Sequence, residues 1–257
     1  MTTDPPGRIH REQRGEIAYV VIDNARKANA LGTVLLEALR TTFETLAADP
    51  PRAVVLTGAG ERAFAGGADL SELGALDVES GRTFITRVHA ACDAVRRCPA
   101  PVIARLRGYA LGAGLELAAS CDIRVASDDA VFGMPEVRFG IPSVVEAALL
   151  PRLLGRGRAA WFLLAGRNID ARTALEWGLV ERVVPAAALD EEVDAVAAAI
   201  LEMEPQAVRE QKRLLAFWDE RPLSEGIAES IESLARSYRD GVPNRLIGSF
   251  LAARKRR

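Results

Sequence analysis

Hydrophobic and polar positions along the chain follow two periods, one typical of strands and one typical of helices. Residues 16–23 are rich in β-branched side chains, residues 53–57 are almost wholly apolar, and residues 101–106 form a third run of this kind. These runs predict strands, the second of them buried on both faces. Residues 31–48 and 81–97 repeat apolar side chains every three or four positions, which predicts amphipathic helices.

The rest of the chain divides into a mixed part and a helical part. Short strands are expected over 122–126, 130–133 and 179–184, and helical patterns over 114–120, 144–154, 158–164 and 171–177. After Pro185 the pattern is helical to the end. We therefore predict an α/β core over residues 1–185, opening with a disordered leader over 1–8, and a helical region over 186–257.

The stretch 106–122 combines a strand, a glycine turn and a helix that carries one carboxylate. Gly112, Ala113 and Gly114 make a tight passage, and Glu116 follows among leucines and alanines. A strand that turns through glycines into a helix directs free N–H groups at one point, which suits an oxyanion. Glu116 is costly to bury unless it is paired or functional; an exposed or arginine-paired position is the ordinary alternative.

A second glycine loop and a second glutamate are candidates for the same chemistry. Gly66-Gly67 lets another molecule approach the backbone, and it is followed by Ala68, whose N–H could face a ligand, and Asp69, which could cap a helix. Glu136 lies in a loop beside Pro135, where a surface carboxylate is the simpler interpretation. Two glutamates near an oxyanion turn suggest a pair for acid/base work.

Two other kinds of site have weak support. Gly58-Ala59-Gly60 follows a strand, but Ala63 stands where a dinucleotide fingerprint needs its third glycine. There is no Gly-x-Ser-x-Gly elbow, and the only histidines are His10 and His89, so a Ser-His-Asp or metal-histidine site is not expected.

Composition indicates the broad class of protein but not the chemistry of its site. Hydrophobic residues make up 49% of the 257, charged residues 26%, and the formal net charge is −2. That balance is typical of a soluble globular protein and predicts neither a nucleic-acid nor a membrane partner. The basic cluster at 254–257 is expected to be a solvated tail. Three cysteines without metal-ligand spacing indicate reduced thiols and a cytoplasmic location.

Several motifs follow one another in a fixed order along the chain. They are Lys27-Ala-Asn-Ala-Leu31, Ala63-Phe-Ala-Gly-Gly-Ala-Asp-Leu70, Gly108-Tyr-Ala-Leu-Gly-Ala-Gly-Leu-Glu-Leu-Ala118, Cys121-Asp-Ile-Arg-Val-Ala126, Pro135-Glu136 and Gly178-Leu-Val-Glu-Arg-Val-Val-Pro185. In this order they resemble the motifs of the enoyl-CoA hydratase/isomerase family, the crotonase superfamily, and the resemblance runs from about Ile17 to the C-terminus. The set of motifs is specific for the family and much less specific for one reaction.

The resemblance implies a ββα spiral core, a helical C-terminal region that builds a homotrimer or homohexamer, and an acyl-CoA thioester substrate. It implies an oxyanion hole from the N–H groups of Ala68 and Ala113, and catalysis of water addition by Glu116 and Glu136. Contacts to the substrate are implied for Lys27, Ala28, Gly66, Asp69 and Leu70. No cofactor is implied, because coenzyme A is part of the substrate.

This chain departs from the family pattern in two places. Ala113 stands where the family usually has glycine, although its N–H is kept. The run 143–147, Ser-Val-Val-Glu-Ala, replaces a glycine-rich stretch, and it adds the stiffness of Val144 and Val145 and a third carboxylate, Glu146. An isomerase, dehydratase or thioester hydrolase of the family therefore remains an alternative to a hydratase. A scaffold or RNA-binding member is a more distant one, supported only by Arg96, Arg97, Arg105, Arg107 and the basic tail.

Overall fold

Residues 7–254 of a computed structural model are described, and they contain ten strands, eleven α-helices and four short 3₁₀ helices. Most of the expected leader and of the basic tail lies outside this range. The strands are β1 Arg8–Arg14, β2 Ile17–Asp23, β3 Ala53–Gly58, β4 Ala63–Ala65, β5 Val102–Leu106, β6 Tyr109–Leu111, β7 Ile123–Ser127, β8 Val131–Gly133, β9 Ile169–Asp170 and β10 Arg182–Val184. The helices are α1 Thr33–Ala48, α2 Leu70–Leu73, α3 Val78–Arg97, α4 Ala113–Ala119, α5 Leu150–Leu154, α6 Arg156–Ala165, α7 Ala171–Trp177, α8 Leu189–Leu201, α9 Pro205–Glu220, α10 Leu223–Ser237 and α11 Val242–Arg254.

The larger sheet has six strands in the order β1-β2-β3-β5-β7-β10. Five of these strands, β2, β3, β5, β7 and β10, run parallel to one another. Strand β1 pairs antiparallel with β2 at the edge. All six residues of β3 are buried, as expected for a parallel strand covered on both faces. Strand β1 was not expected from the sequence, because its exposed polar side chains carry no apolar alternation.

A second, smaller sheet positions the loops of the candidate site. Its order is β4-β6-β8-β9, and the first three strands are parallel. Each of these strands has two or three residues, too few to show a period in the sequence. Strand β6 leads directly into α4 through Gly112. The small sheet therefore fixes where the glycine turn lies.

Two apolar clusters cover the two faces of the large sheet. On one face, helices α1, α3 and α4 pack side chains such as Phe43, Phe84 and Leu117 against the strands. On the other, Leu189, Val193 and Ala197 of α8 cover a row of four strand residues: Tyr19, Val55, Ile103 and Val125. Helix α8 therefore belongs to the core of the α/β unit.

The described chain divides into two compact units, the first ending at Glu202 and the second beginning at Met203. The sequence pattern predicted the boundary at Pro185, where the composition changes. The contacts place it after Glu202, because the apolar stripe of α8 lies on the sheet. The second unit contains α9, α10 and α11.

Candidate active site

The turn between β6 and α4 brings a backbone donor next to a carboxylate. Gly112 has φ +49, and a Cβ at this position would overlap Glu136 Oε1. Glycine adopts this positive φ readily and has no Cβ to overlap Glu136, so it suits both features of the turn. Ala113 begins α4, so its N–H is one of those that a helix leaves without an internal acceptor.

The second glycine loop lies against the same turn. Gly67 has φ +107, and a Cβ there would be 3.2 Å from the Leu111 carbonyl oxygen. A single parallel bridge joins this loop to Leu31, whose N–H donates to Gly67 O at 2.8 Å and whose carbonyl accepts from the Asp69 N–H at 3.0 Å. Ala68 lies between these two hydrogen-bonded residues, and its own N–H takes no part in the bridge. Within residues 7–254, neither Ala68 nor Ala113 donates its N–H to a protein acceptor.

Four of the five residues expected to contact substrate come together around the loop. Lys27 Nζ lies 2.8 Å from Asp69 Oδ2, and Gly66 donates its N–H to Ala28 O at 2.8 Å. Asp69 also caps α2 by accepting the Ser71 N–H, which confirms the capping role expected for it. Leu70, the first residue of α2, is 61% exposed. Contact of these residues with a substrate stays a prediction.

Asn29 joins the turn at residue 24 to the loop at residues 59–63, a structural role that the sequence did not predict. Its side chain is fully buried; its amide donates to Ala59 O at 3.0 Å and Ala63 O at 2.7 Å, and its carbonyl accepts the Asn24 N–H. The backbone has φ +56, a region that asparagine tolerates better than most residues. An asparagine following a polar turn was the one available signal.

Glu116 is a buried acid in the first turn of α4. It is 4% exposed, and its Oε1 accepts the Ala147 N–H at 3.0 Å. Burial raises the pKa of Glu116 from 4.5 to about 8; the Ala147 N–H opposes this rise, and the charges of Glu136 and Glu146 add to it. This shift favours the protonated form of Glu116 at neutral pH, in which the side chain has a proton to donate.

The run 143–147 contacts both glutamates. Ser143 donates its hydroxyl to Glu136 Oε2 at 2.7 Å, and Ala147 supplies the N–H to Glu116. Between them Val145 has φ +42, an uncommon conformation for a β-branched residue. The helix expected over 144–154 accordingly begins as a 3₁₀ turn, Val145–Leu149, before α5. The segment that departs from the family pattern thus positions the proposed acid/base pair.

A third carboxylate lies beside this pair. Glu146 is 4% exposed, and its Oε1 is 2.7 Å from His89 Nδ1 on α3. The sequence indicates Glu146 as a third carboxylate, but no pattern predicted His89 as its partner. The sequence did contain one indication of such a pair. Glu146 lies among apolar neighbours, where a buried carboxylate requires a partner.

The arginines that suggested RNA binding are largely neutralised. Arg97 pairs with Asp93 at 2.6 Å, Arg105 with Asp190 at 2.5 Å, and Arg107 with Glu61 at 2.8 Å. Paired arginines contribute less to a basic surface than free ones. Among the described residues, no group of three or more His, Cys, Asp or Glu side chains could hold a metal ion, and no helix has the length and apolarity needed to cross a membrane.

Solved structures share this fold along nearly the whole chain. An enoyl-CoA hydratase from Mycobacterium smegmatis superposes with a TM-score of 0.92 at 32% identity, over 95% of this chain and 96% of that one. The parallel sheet, with its two glycine loops and helices, is therefore the crotonase fold.

Sequence comparison gives the same answer at the family level. The family model described as Enoyl-CoA hydratase/isomerase matches residues 12–236. YngF of Bacillus subtilis is 38% identical over 234 residues, which are 89% of this chain and 87% of YngF. The short-chain-enoyl-CoA hydratase of Clostridium acetobutylicum is 33% identical over 95% of this chain and 94% of its own. This chain belongs to the enoyl-CoA hydratase/isomerase family.

Proposed function

We propose that the protein is an enoyl-CoA hydratase that adds water across the 2,3-double bond of a 2-enoyl-CoA thioester. The observation that carries the proposal is the arrangement of Glu116 and Glu136. Both carboxylates are held by the 143–147 run, and Glu136 lies against the turn that presents the Ala113 N–H. Two acids beside free backbone donors suit addition to a polarised double bond.

In the proposed reaction, the N–H groups of Ala68 and Ala113 bind the thioester oxygen. Water attack at the β-carbon moves negative charge onto that oxygen, so donors fixed in advance stabilise the transition state. Such a hole contributes several kcal/mol. Lys27, Ala28, Gly66, Asp69 and Leu70 are the residues proposed to hold the coenzyme A part of the substrate, and no separate cofactor takes part.

The glutamate pair handles the protons. Hydration takes one proton from water as its oxygen bonds to the β-carbon, and it delivers one proton to the α-carbon. The pair can supply one and accept the other. Burial raises the pKa of Glu116 to about 8, which favours its protonated form, and Glu136, positioned by the Ser143 hydroxyl, takes the proton from water. The pair then ends the cycle with as many protons as it began with.

Glu136→Gln tests the assignment. We expect this variant to lose hydration of crotonyl-CoA and longer 2-enoyl-CoAs by at least about 10²-fold, because an amide cannot exchange the proton. Loss of the conjugated thioester absorbance measures turnover, and calorimetry with a saturated acyl-CoA measures binding, which should be retained.

Glu44→Gln is the matched control, because Glu44 is an exposed residue of α1 paired with Arg40. It should hydrate at the wild-type rate. Wild-type protein that is folded, binds acyl-CoA and hydrates no 2-enoyl-CoA of any chain length would refute the proposed reaction. Retained activity in Glu136→Gln would refute the residue assignment alone.

Isomerisation is the second candidate, and the unusual 143–147 run favours it. Moving a double bond between the 2- and 3-positions needs a proton relay and no added water, and a valine-rich turn could exclude that water. Mass analysis of the product separates the candidates. Hydration adds the mass of water, isomerisation leaves the mass unchanged, and thioester hydrolysis frees coenzyme A.

We also propose a cytoplasmic homotrimer or homohexamer. All three cysteines lie in the described part of the chain and are buried thiols, which suits a reducing compartment. In the second unit, α10 exposes Ile227, Ile231 and Leu234, each more than half accessible. Their spacing of four and three residues makes one apolar face, the kind of surface that subunits cover. Light scattering by the purified protein measures the assembly.

A further inference from the structure

Glu146 is a buried carboxylate for which the proposed hydration assigns no task. It is 4% exposed, and its Oε2 has no hydrogen-bond partner among the described residues. An unsatisfied buried carboxylate oxygen costs free energy. Its position at the proposed site therefore requires an explanation.

The other oxygen of Glu146 binds a histidine that reaches solvent. His89 Nδ1 lies 2.7 Å from Oε1, and the His89 side chain is 51% exposed. A protonated His89 would balance the charge of Glu146, and a neutral one would leave that charge unbalanced. The pair thus connects a buried carboxylate to a side chain at the solvent surface.

Glu146 is linked to Glu116 through the backbone of its neighbour in the chain. The next residue in the chain, Ala147, donates its N–H to Glu116 Oε1 at 3.0 Å. The two carboxylates accordingly lie on adjoining segments in the same apolar region, and the charge of Glu146 acts on Glu116. Like charges brought close in a poorly hydrated site disfavour ionisation of both.

Other titratable groups face this pair from two directions. From α3 they are Asp93, Arg96 and the neutral thiol of Cys92, and Glu136 acts on Glu116 from the 3₁₀ helix Glu136–Phe139. Burial raises the pKa of Glu146, while His89 and Arg96 oppose the rise. His89 is the group among these that makes a direct hydrogen bond to Glu146.

We propose that Glu146, held by His89, is a positioning residue of the acid/base pair: it fixes the 143–147 run that donates to Glu116, and its charge adds to burial in favouring the proton on Glu116. The inference rests on the proposed function in assigning a proton-donating task to Glu116. The coupling itself can be measured without turnover. A purely structural Glu146 would tie α3 to the 143–147 run and leave the titration of Glu116 in place.

Carbon-13 NMR of carboxyl-labelled glutamates tests the coupling. The signal missing in Glu116→Gln identifies Glu116, and its titration is followed in wild-type protein and in Glu146→Gln. We expect Glu146→Gln to move the Glu116 midpoint to lower pH by a few tenths of a unit, because a like charge has been removed while burial remains. Glu146→Asp, which keeps the charge, should stay near the wild-type midpoint.

His89→Gln tests the histidine's part, since glutamine can still donate a hydrogen bond but carries no charge. The Glu116 midpoint should change when this substitution is made in wild-type protein and should not change further when it is made in Glu146→Gln. Glu44→Gln should change nothing in either titration. Thermal melting confirms that each variant is folded.

An unchanged Glu116 midpoint in folded Glu146→Gln would overturn the inference, and a midpoint unaffected by His89→Gln would overturn the histidine's part. In a hydrating protein, the alkaline limb of the kcat profile should move to lower pH in Glu146→Gln, with KM retained at the optimum. A protein that shows the NMR coupling but no hydration would contradict the proposed function and leave this inference standing.

Discussion

At the scale of single residues, the free energy of unfolding and the proposed chemistry depend on the same side chain. Glu116 is buried in an apolar helix with one backbone donor. Burial raises the pKa of Glu116 to about 8, so the folded protein holds a proton that the unfolded chain releases near 4.5. The fold stabilises the protonated form of Glu116, so ionising this side chain lowers the free energy of unfolding.

The pH dependence of stability follows from this shift. Because the folded-state pKa is raised, the contribution of Glu116 to stability is complete below about pH 4.5 and is lost as pH rises through about 8. Glu116→Gln keeps an acceptor for the Ala147 N–H and cannot ionise. We expect the variant to be more stable than wild type above pH 8, by a few kcal/mol.

Urea denaturation at a series of pH values measures this difference. The wild-type free energy of unfolding should fall between pH 4.5 and 8, and the Glu116→Gln curve should be flatter. Glu44→Gln should run parallel to wild type. Parallel curves for wild type and Glu116→Gln would show that Glu116 does not hold its proton in the folded state.

At the scale of elements, ion pairs join two helices of the second unit. Glu210 of α9 accepts hydrogen bonds from Arg213, from Ser233 at 2.5 Å and from Arg236 at 3.2 Å, the last two on α10. Trp218 of α9 donates to Ser230 at 3.1 Å. The hydrogen bond from Arg213 is the main reason that the pKa of Glu210 falls to about 2. The α9–α10 pair is thus stabilised by an ionised carboxylate.

Acid should loosen this helix pair. The folded-state pKa of Glu210 is lowered, so its contribution is present above about pH 4.5 and is lost as pH falls toward 2. With Trp161 and Trp177 replaced by Phe, the fluorescence of Trp218 reports on α9 and α10. Glu210→Gln should weaken the helix pair at neutral pH and reduce its sensitivity to acid.

Glu232→Gln is the control, because Glu232 is an exposed residue of α10. It should retain the wild-type response to acid. Identical acid transitions in Glu210→Gln and wild type would mean that the ion pairs are screened by solvent and contribute nothing measurable.

At the scale of the whole molecule, the large sheet is stable only when both of its faces are covered. Helix α8 supplies the second cover, with Val193 1% exposed against the sheet. This cover lies beyond Pro185 in the chain. A boundary drawn from composition therefore separates a sheet from the helix that shields it.

Val193→Asp tests the role of α8. A charge placed against the sheet without a partner should cost about 3 kcal/mol or more. Ala195→Asp introduces the same side chain at an exposed position of the same helix and should cost no more than about 1 kcal/mol. Chemical denaturation followed by circular dichroism compares them. Equal losses would show that α8 does not shield the sheet.

Much of the architecture follows from local sequence patterns. The buried strand β3, the amphipathic helix α3 and the Asp69 cap were all predicted, because side-chain period and capping chemistry act over a few residues. Glu116 stood out for the same reason, as a charge in an apolar helix. The motifs that resemble the family gave the fold class.

Tertiary structure alone decided how the candidate site is assembled. The short strands β4 and β6 exist because they pair with each other, and strands of three residues carry no period of their own. His89 meets Glu146 across 57 residues of chain, and Ser143 and Ala147 reach the two glutamates only after the 143–147 run has turned through Val145. The sequence by itself determined which side chains are costly to bury. Which groups offset that cost was decided by folding, because partners distant in the chain are brought together by packing and not by local preference.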